Sequence, residues 1–397
     1  MFIKSIIKPK PHFSLSRQSF RRQLVCESLE RRIVLTSYIV DTLDDSNAAD
    51  GMISLREAIS AANSNAAFVD APAGQSGPGV LDSIRFAPSL SGQVITLGNL
   101  GALTITDSLE IADNNSLPII VDGNQSQIFN VAPSASEFLI SNLNLRNGNA
   151  AQGGAIYVDS SVSVSLARVT LQNNSADDGG AIYNNGGSLN ILNSNLSSNV
   201  ANATSGSGGA IFSASGTVTI VSSQISANSA ARAGGGIEIV DGTLSMLRTS
   251  LVRNDVNGIA GTANPGNGGG LHVTGNATIT IARGLIVSNT AASEGGGLWN
   301  QAGSTLTVHD SVIFGNEAFG NDATNGGGGI FNNGGVVNVT GGNYDQQQFC
   351  LRHGRFGRWN LQWQSSWPRR HSVWVAVGQR CNYQRQCGQS RWRRYRS

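Results

Sequence analysis

From about residue 101 to residue 343, apolar side chains alternate with small polar ones in short bursts, as in GTVTIVSSQISAN (Val218, Ile220, Ile225) and ATITIARG (Ile279, Ile281). Successive side chains of a strand point to opposite faces, so a two-residue period marks a short strand buried on one side. Gly, Asn and Ser end each burst, and these residues accept the positive φ of a tight corner. Ahead of this region the period changes. Leu55, Ala58, Ile59 and Ala62 stand at i, i+3, i+4 and i+7, which predicts a short helix with one apolar stripe. Ser54 and Glu57, three residues apart, predict a capping box that satisfies backbone donors at its start.

The strand bursts recur. GGAIYVD at Gly153 and Gly154 returns as GGAIYNN at Gly179 and Gly180 and as GGAIFSA at Gly208 and Gly209. It drifts to GGGIEIV, GGGLHVT, GGGLWNQ and GGGGIFN at Gly234, Gly268, Gly295 and Gly326, with 26 to 34 residues between returns. A second marker is as regular: an apolar residue is followed eight positions later by asparagine. The pairs are Leu166 and Asn174, Ile191 and Asn199, Ile220 and Asn228, Met246 and Asn254, Ile281 and Asn289, and Val308 and Asn316. Units of this length are too short for four-stranded propeller blades and predict a solenoid. About three short strands per unit, stacked in register, make an all-β parallel β-helix. The recurring Asn is then a hydrogen-bonded ladder between coils, with no catalytic role. Insertions fall only between each Asn and the next glycine pair, on the face where solenoids often meet partners. The helix at Ser54 covers the open first coil, whose unpaired strand edges would otherwise invite association.

The segment VDTLDDSNAADG followed by ISLREAISAAN is similar to the CSLREA signature found at the start of bacterial surface proteins, with Ile53 where the signature has Cys. GGAIYNN, together with LQNN, LSSN, ISAN, LVRN, IVSN and IFGN, resembles the GGAI/FxxN repeats of polymorphic outer membrane proteins, with Leu or Ile in place of Phe. That resemblance implies a right-handed, pectin-lyase-like β-helix, an extracellular or outer-membrane cell-surface location, and a role in adhesion. CESLERRIVLTS, from Cys26 to Ser37, resembles a short N-terminal segment of planctomycete surface proteins. No C-terminal barrel or other anchor is recognised after the repeats.

Charge divides the chain into chemically different pieces. Residues 1–36 carry eight Lys/Arg and two Glu, a balance of 8 − 2 = +6, and read as a basic, disordered export or targeting segment. The segment 37–100 is the cap and 101–343 the β-helix; together they carry eight Arg, no Lys and 22 acidic residues, 8 − 22 = −14. Residues 344–397 carry eleven Arg and one Asp, 11 − 1 = +10, and most of the Trp and Cys. The formal net charge of +2 is therefore a cancellation and supports no nucleic-acid partner. The tail is expected to be disordered. Its Arg/Trp-rich stretches can be encoded so that a one-nucleotide shift restores repeat motifs, which points to a frameshift.

Chemistry is scarce. No apolar run is long enough for a transmembrane helix. Asp177 and Asp178 are the weak metal candidates, too few for a calcium site, and no cofactor is expected. Arg253 beside Asp255 reads as a solvated corner pair, and His272 and His309 lie in different units with no visible partner. The reading is a non-enzymatic surface β-helix, monomeric or associating through an exposed coil edge, with a cell-surface or polysaccharide ligand. The alternatives are a β-helix polysaccharide lyase or hydrolase, and a truncated product without present function.

Overall fold

The computed structural model describes residues 36–75, 80–256, 266–320 and 326–341, with the backbone of 343–344, 349–351, 358–362 and 373–374. The basic segment expected up to residue 36 lies outside them except for Thr36. The chain folds as a parallel β-solenoid. Among the described residues its strands form a 21-stranded sheet, a 10-stranded sheet and a 7-stranded sheet, one for each side of the coil. The sequence suggests about three strands per coil. The broadest sheet instead takes two strand segments from each coil, and in Ile182–Leu192 and Ile211–Val221 the two run on as one strand. Gly186 and Gly216, both at positive φ, bend the chain between the segments.

Parallel register carries from coil to coil, with a local shift near Asn185 where Ile182–Leu192 pairs with Ile211–Val221. In the broad sheet Ile182 pairs with Ile211, which pairs with Ile237, then Leu271, Leu298 and Ile330. All six side chains point inward and are fully buried. Leu166, Ile191, Ile220, Met246, Ile281 and Val308 form a second buried column, and Leu171, Leu196, Ile225, Leu251, Ile286 and Ile313 a third from the ten-stranded sheet. Each apolar residue predicted eight positions before an Asn is therefore a core residue. Fully burying such a side chain is worth about 1.5–3 kcal/mol, so the columns supply the main driving force. The seven-stranded sheet contributes smaller groups, Ala201, Ala230 and Val256.

The stacking begins at Ser37–Val40, which pairs in parallel with Asp82–Phe86, itself paired with Leu109–Ala112. Between the first two strands runs the helix Leu55–Ser64. Its stripe of Leu55, Ala58, Ile59 and Ala62 is at most 2 % exposed and joins the same core as Ile84 and Leu103. The Ser54 hydroxyl accepts from the Glu57 N–H at 3.1 Å, and the Ser54 N–H donates to the Glu57 carboxylate at 3.0 Å. Arg56 ties the helix down by donating to Asp45 at 2.6 Å and to the Gly101 carbonyl at 2.8 Å.

At the other end, parallel pairing continues into the basic tail. Phe349–Leu351 pairs with Ile330–Asn332, and Arg358–Gln362 with Val336–Thr340. Val373–Trp374 pairs antiparallel with Leu361–Gln362, and the other stretches of the tail, where disorder is expected, lie outside the described residues.

Candidate functional site

Each coil has corners of fixed chemistry. Where the ten-stranded sheet hands over to the seven-stranded sheet, Asn174, Asn199, Asn228, Asn254, Asn289 and Asn316 stack one above another, at most 2 % exposed. Each of the first five donates through Nδ2 to the Oδ1 of the next at 2.9–3.0 Å, and the same Oδ1 accepts the preceding Asn's backbone N–H at 2.9–3.1 Å. Nδ2 also donates to a carbonyl of an adjoining coil, as Asn228 does to Leu196 at 3.0 Å. Every polar atom of the inner ladder is used, which leaves nothing for chemistry.

The glycine pairs are equally structural. Gly153, Gly179 and Gly208 lie at φ of 61 to 68°, the left-handed region. The partners Gly154, Gly180 and Gly209 lie flat against neighbouring coils, where a Cβ would overlap backbone carbonyl oxygens.

Asp178 lies beyond the Asn corner and accepts the Ser207 N–H at 2.9 Å. Burial pushes its carboxyl above the ordinary range, opposed in part by the Ser207 N–H and by Arg232. Among the described residues no three His, Cys, Asp or Glu side chains come together as a metal site. Asp177 points to solvent and adds no second ligand toward Asp178's partners.

A column invisible as a site in the sequence runs outside the broad sheet. Tyr157, Tyr183, Phe212, Glu238, His272, Trp299 and Phe331 occupy one register position. Tyr183 stacks on Tyr157 and Phe212 with ring centres 5.7 and 4.9 Å away, and His272 stacks on Trp299 at 4.3 Å. His272, which the sequence leaves without a partner, bonds through Nδ1 to Glu238 at 2.8 Å. Thr274 donates to Glu238 at 3.0 Å, Arg232 approaches it at 3.7 Å, and Trp299 donates to Glu294 at 2.9 Å. Neighbouring strands supply Glu238 and His272, so their pairing appears only when GGGIEIV and GGGLHVT are laid in register. A carboxylate-oriented imidazole can serve as a base. Here Glu238 is 0 % and His272 1 % exposed, and Trp299 covers the ring, so no substrate reaches it. Its Nε2 has no hydrogen-bond partner. His309 is half-buried and sits 3.7 Å from Asp310. The corner pair expected of Arg253 and Asp255 does not form: Asp255 accepts the Thr290 hydroxyl, which draws it to the next coil.

A polar groove of about 460 Å³ runs along the edge where the broad sheet turns into the ten-stranded one. Arg168 and Arg248 line its two ends, with Asn193, Asn195, Ser222 and Gln224 between them. The residues come from successive coils because Thr170, Asn195, Gln224 and Ser250 are register partners. The groove offers amide, hydroxyl and guanidinium groups along a straight line.

Residues 168–185 match the Chlamydia polymorphic membrane protein (Chlamydia_PMP) repeat, a stretch from the groove's Arg168 to the Asn174 corner and the Gly179–Gly180 pair. No curated protein matches the chain. Among solved structures the chain is similar to ORF18 of Geobacillus virus E2, with a TM-score of 0.32 and 10 % identity over 77 % of this chain. The match spans 59 % of that protein's length.

Proposed function

We propose that the protein is displayed on, or secreted from, a bacterial cell and binds a surface polysaccharide without cleaving it. The observation that carries this reading is the coil-crossing groove between Arg168 and Arg248, an open line of hydrogen-bonding side chains repeated along a rigid axis. Extended glycans need such a surface: many modest polar contacts, held in place before binding so that little ordering is lost. The polymorphic membrane protein repeat supports a surface or outer-membrane location. The resemblance of the capped N-terminal segment to CSLREA proteins, and separately of Cys26–Ser37 to a planctomycete surface-protein segment, agrees with it. Adhesion, rather than turnover, fits the closed Glu238–His272 pair, which is the best-formed acid–base couple among the described residues. Among the described residues no helix is long and apolar enough to cross a membrane, which says nothing of a β-barrel.

The test is a panel of immobilised neutral and acidic polysaccharides incubated with the purified full chain. Saturable retention on at least one polysaccharide, with no new reducing ends or unsaturated sugars released, is the expected result. Release of such products would replace the binding reading by the lyase or hydrolase one, and retention on none would end both.

A further inference from the structure

The eight arginines of residues 37–343 fall into two sets. Arg56, Arg85, Arg146 and Arg232 each face a carboxylate, on Asp45, Glu110, Asp122 and Glu238, at 2.6 to 3.7 Å. Arg168, Arg248, Arg253 and Arg283 form no ion pair among the described residues, although acidic side chains outnumber arginines in this region by 22 to 8. These four are exposed, and all have left-handed backbone, with φ of 55, 50, 54 and 51°.

Arg168, Arg248 and Arg283 share one column. They follow Ala167, Leu247 and Ala282, which hold one register position in the broad sheet, so the corner reads Asn142, Arg168, Asn193, Ser222, Arg248, Arg283 and Asp310 along the axis. Left-handed backbone costs a residue with a Cβ roughly 1 kcal/mol or more, and Asn or Asp escape most of it. Arginine has no such advantage, and among the described residues the side-chain hydrogen bond made in this set is an exposed one, from Arg248 Nε to the Ser222 hydroxyl at 3.3 Å. Beyond that contact, folding supplies no charged partner for arginine at these corners.

We infer that this corner column is the anion-reading edge of the groove and selects an acidic polysaccharide bearing carboxylate or sulfate groups. The inference rests on the binding reading above and adds the ligand's charge. Coils repeat at about 4.8 Å, so Arg168 and Arg248, three coils apart, stand about 14 Å from each other, with Arg283 one coil beyond. That spacing suits a polymer with sparse, regularly placed anions and uncharged hydroxyls for Asn193, Asn195 and Gln224 in between. Guanidinium forks match carboxylate and sulfate oxygens in bidentate fashion. Nucleic acid presents a charge every few ångströms and would meet the acidic body of the solenoid at every other point.

The experiment compares the full chain with the triple variant R168N/R248N/R283N. Asparagine already fills this corner at Asn142 and Asn193, so the variant is expected to fold as the parent does, checked by circular dichroism. Binding is read on polygalacturonate, dextran sulfate, neutral dextran and single-stranded DNA. The parent should prefer polygalacturonate or dextran sulfate over dextran, whichever of the two anions is bound tighter identifying the group. The variant should lose at least tenfold in that affinity. Phenylglyoxal labelling with and without the polyanion should show protection of Arg168, Arg248 and Arg283, which separates this edge from the arginine-rich tail. Equal binding by parent and variant, protection confined to the tail, or DNA bound as tightly as the acidic glycans would overturn the inference. Preference for neutral dextran would overturn it while leaving the binding reading intact, and retention on none of the glycans would remove both.

Discussion

Alanine in place of Gly209 is expected to unfold the middle of the solenoid. The added Cβ would overlap the carbonyl oxygen of Gly235 on the next coil and lie against the backbone of Ser229. Neither obstacle is a side chain that can swing away: both are backbone held in parallel hydrogen bonding, with Gly209 itself donating to Gly234 at 3.0 Å. Relief requires moving one coil off another, and the coils above and below are locked in the same register. Ordinary overpacking costs about 1–3 kcal/mol. A clash with backbone on two sides exceeds that, at about 5 kcal/mol, a third or more of a typical domain's margin of about 5–15 kcal/mol. The measurement is urea denaturation followed by circular dichroism, with G51A as the control, since nothing lies within 4 Å of a Cβ there. Gly51 has a φ of 83°, so the control should still lose about 1 kcal/mol from backbone strain alone. A G209A chain as stable as G51A would show that the coils are less closely stacked than described.

Asn228→Leu is expected to cost about 3–4 kcal/mol, although leucine is close in size and more apolar. The Asn228 Oδ1 accepts from both the backbone N–H and the Nδ2 of Asn199, each at 2.9 Å, and its own Nδ2 donates to Leu196 and Asn254. Leucine leaves those partners buried and open. A stranded buried polar group costs about 1–3 kcal/mol, and at least two are created here. Asn202→Leu supplies the comparison: its side chain is exposed and bonds only to the Ser175 hydroxyl, so the change should stay within about 0.5 kcal/mol. A loss at Asn228 no greater than at Asn202 would mean that the ladder is decorative.

Much of this architecture is legible in the sequence. Period-two alternation identified the inward faces, and the eight-residue spacing tied each core residue to its ladder Asn, because a solenoid repeats its constraints once per coil. The helix was legible from Leu55, Ala58, Ile59 and Ala62 together with Ser54 and Glu57. The extra strand segment on the broad side was not: glycine is expected to end a strand, whereas parallel pairing resumes on both sides of the bends at Gly186 and Gly216. The Glu238–His272 bond was hidden because its members are 34 residues apart and meet only through register. The unpaired arginines were visible one by one but not as a column, since their shared property is a backbone angle at equivalent corners. Arg253 and Asp255 illustrate the converse: nearness in sequence promised a pair that the coil geometry does not make.

The most direct test of the account is a crystal structure of the full chain with a polysaccharide retained in the binding panel. The sugar is predicted to lie along the solenoid axis in the groove, touching the Arg168 and Arg248 side chains and the polar groups between them. A sugar seated instead over the Tyr157–Phe331 column, or cleaved beside His272, would contradict it.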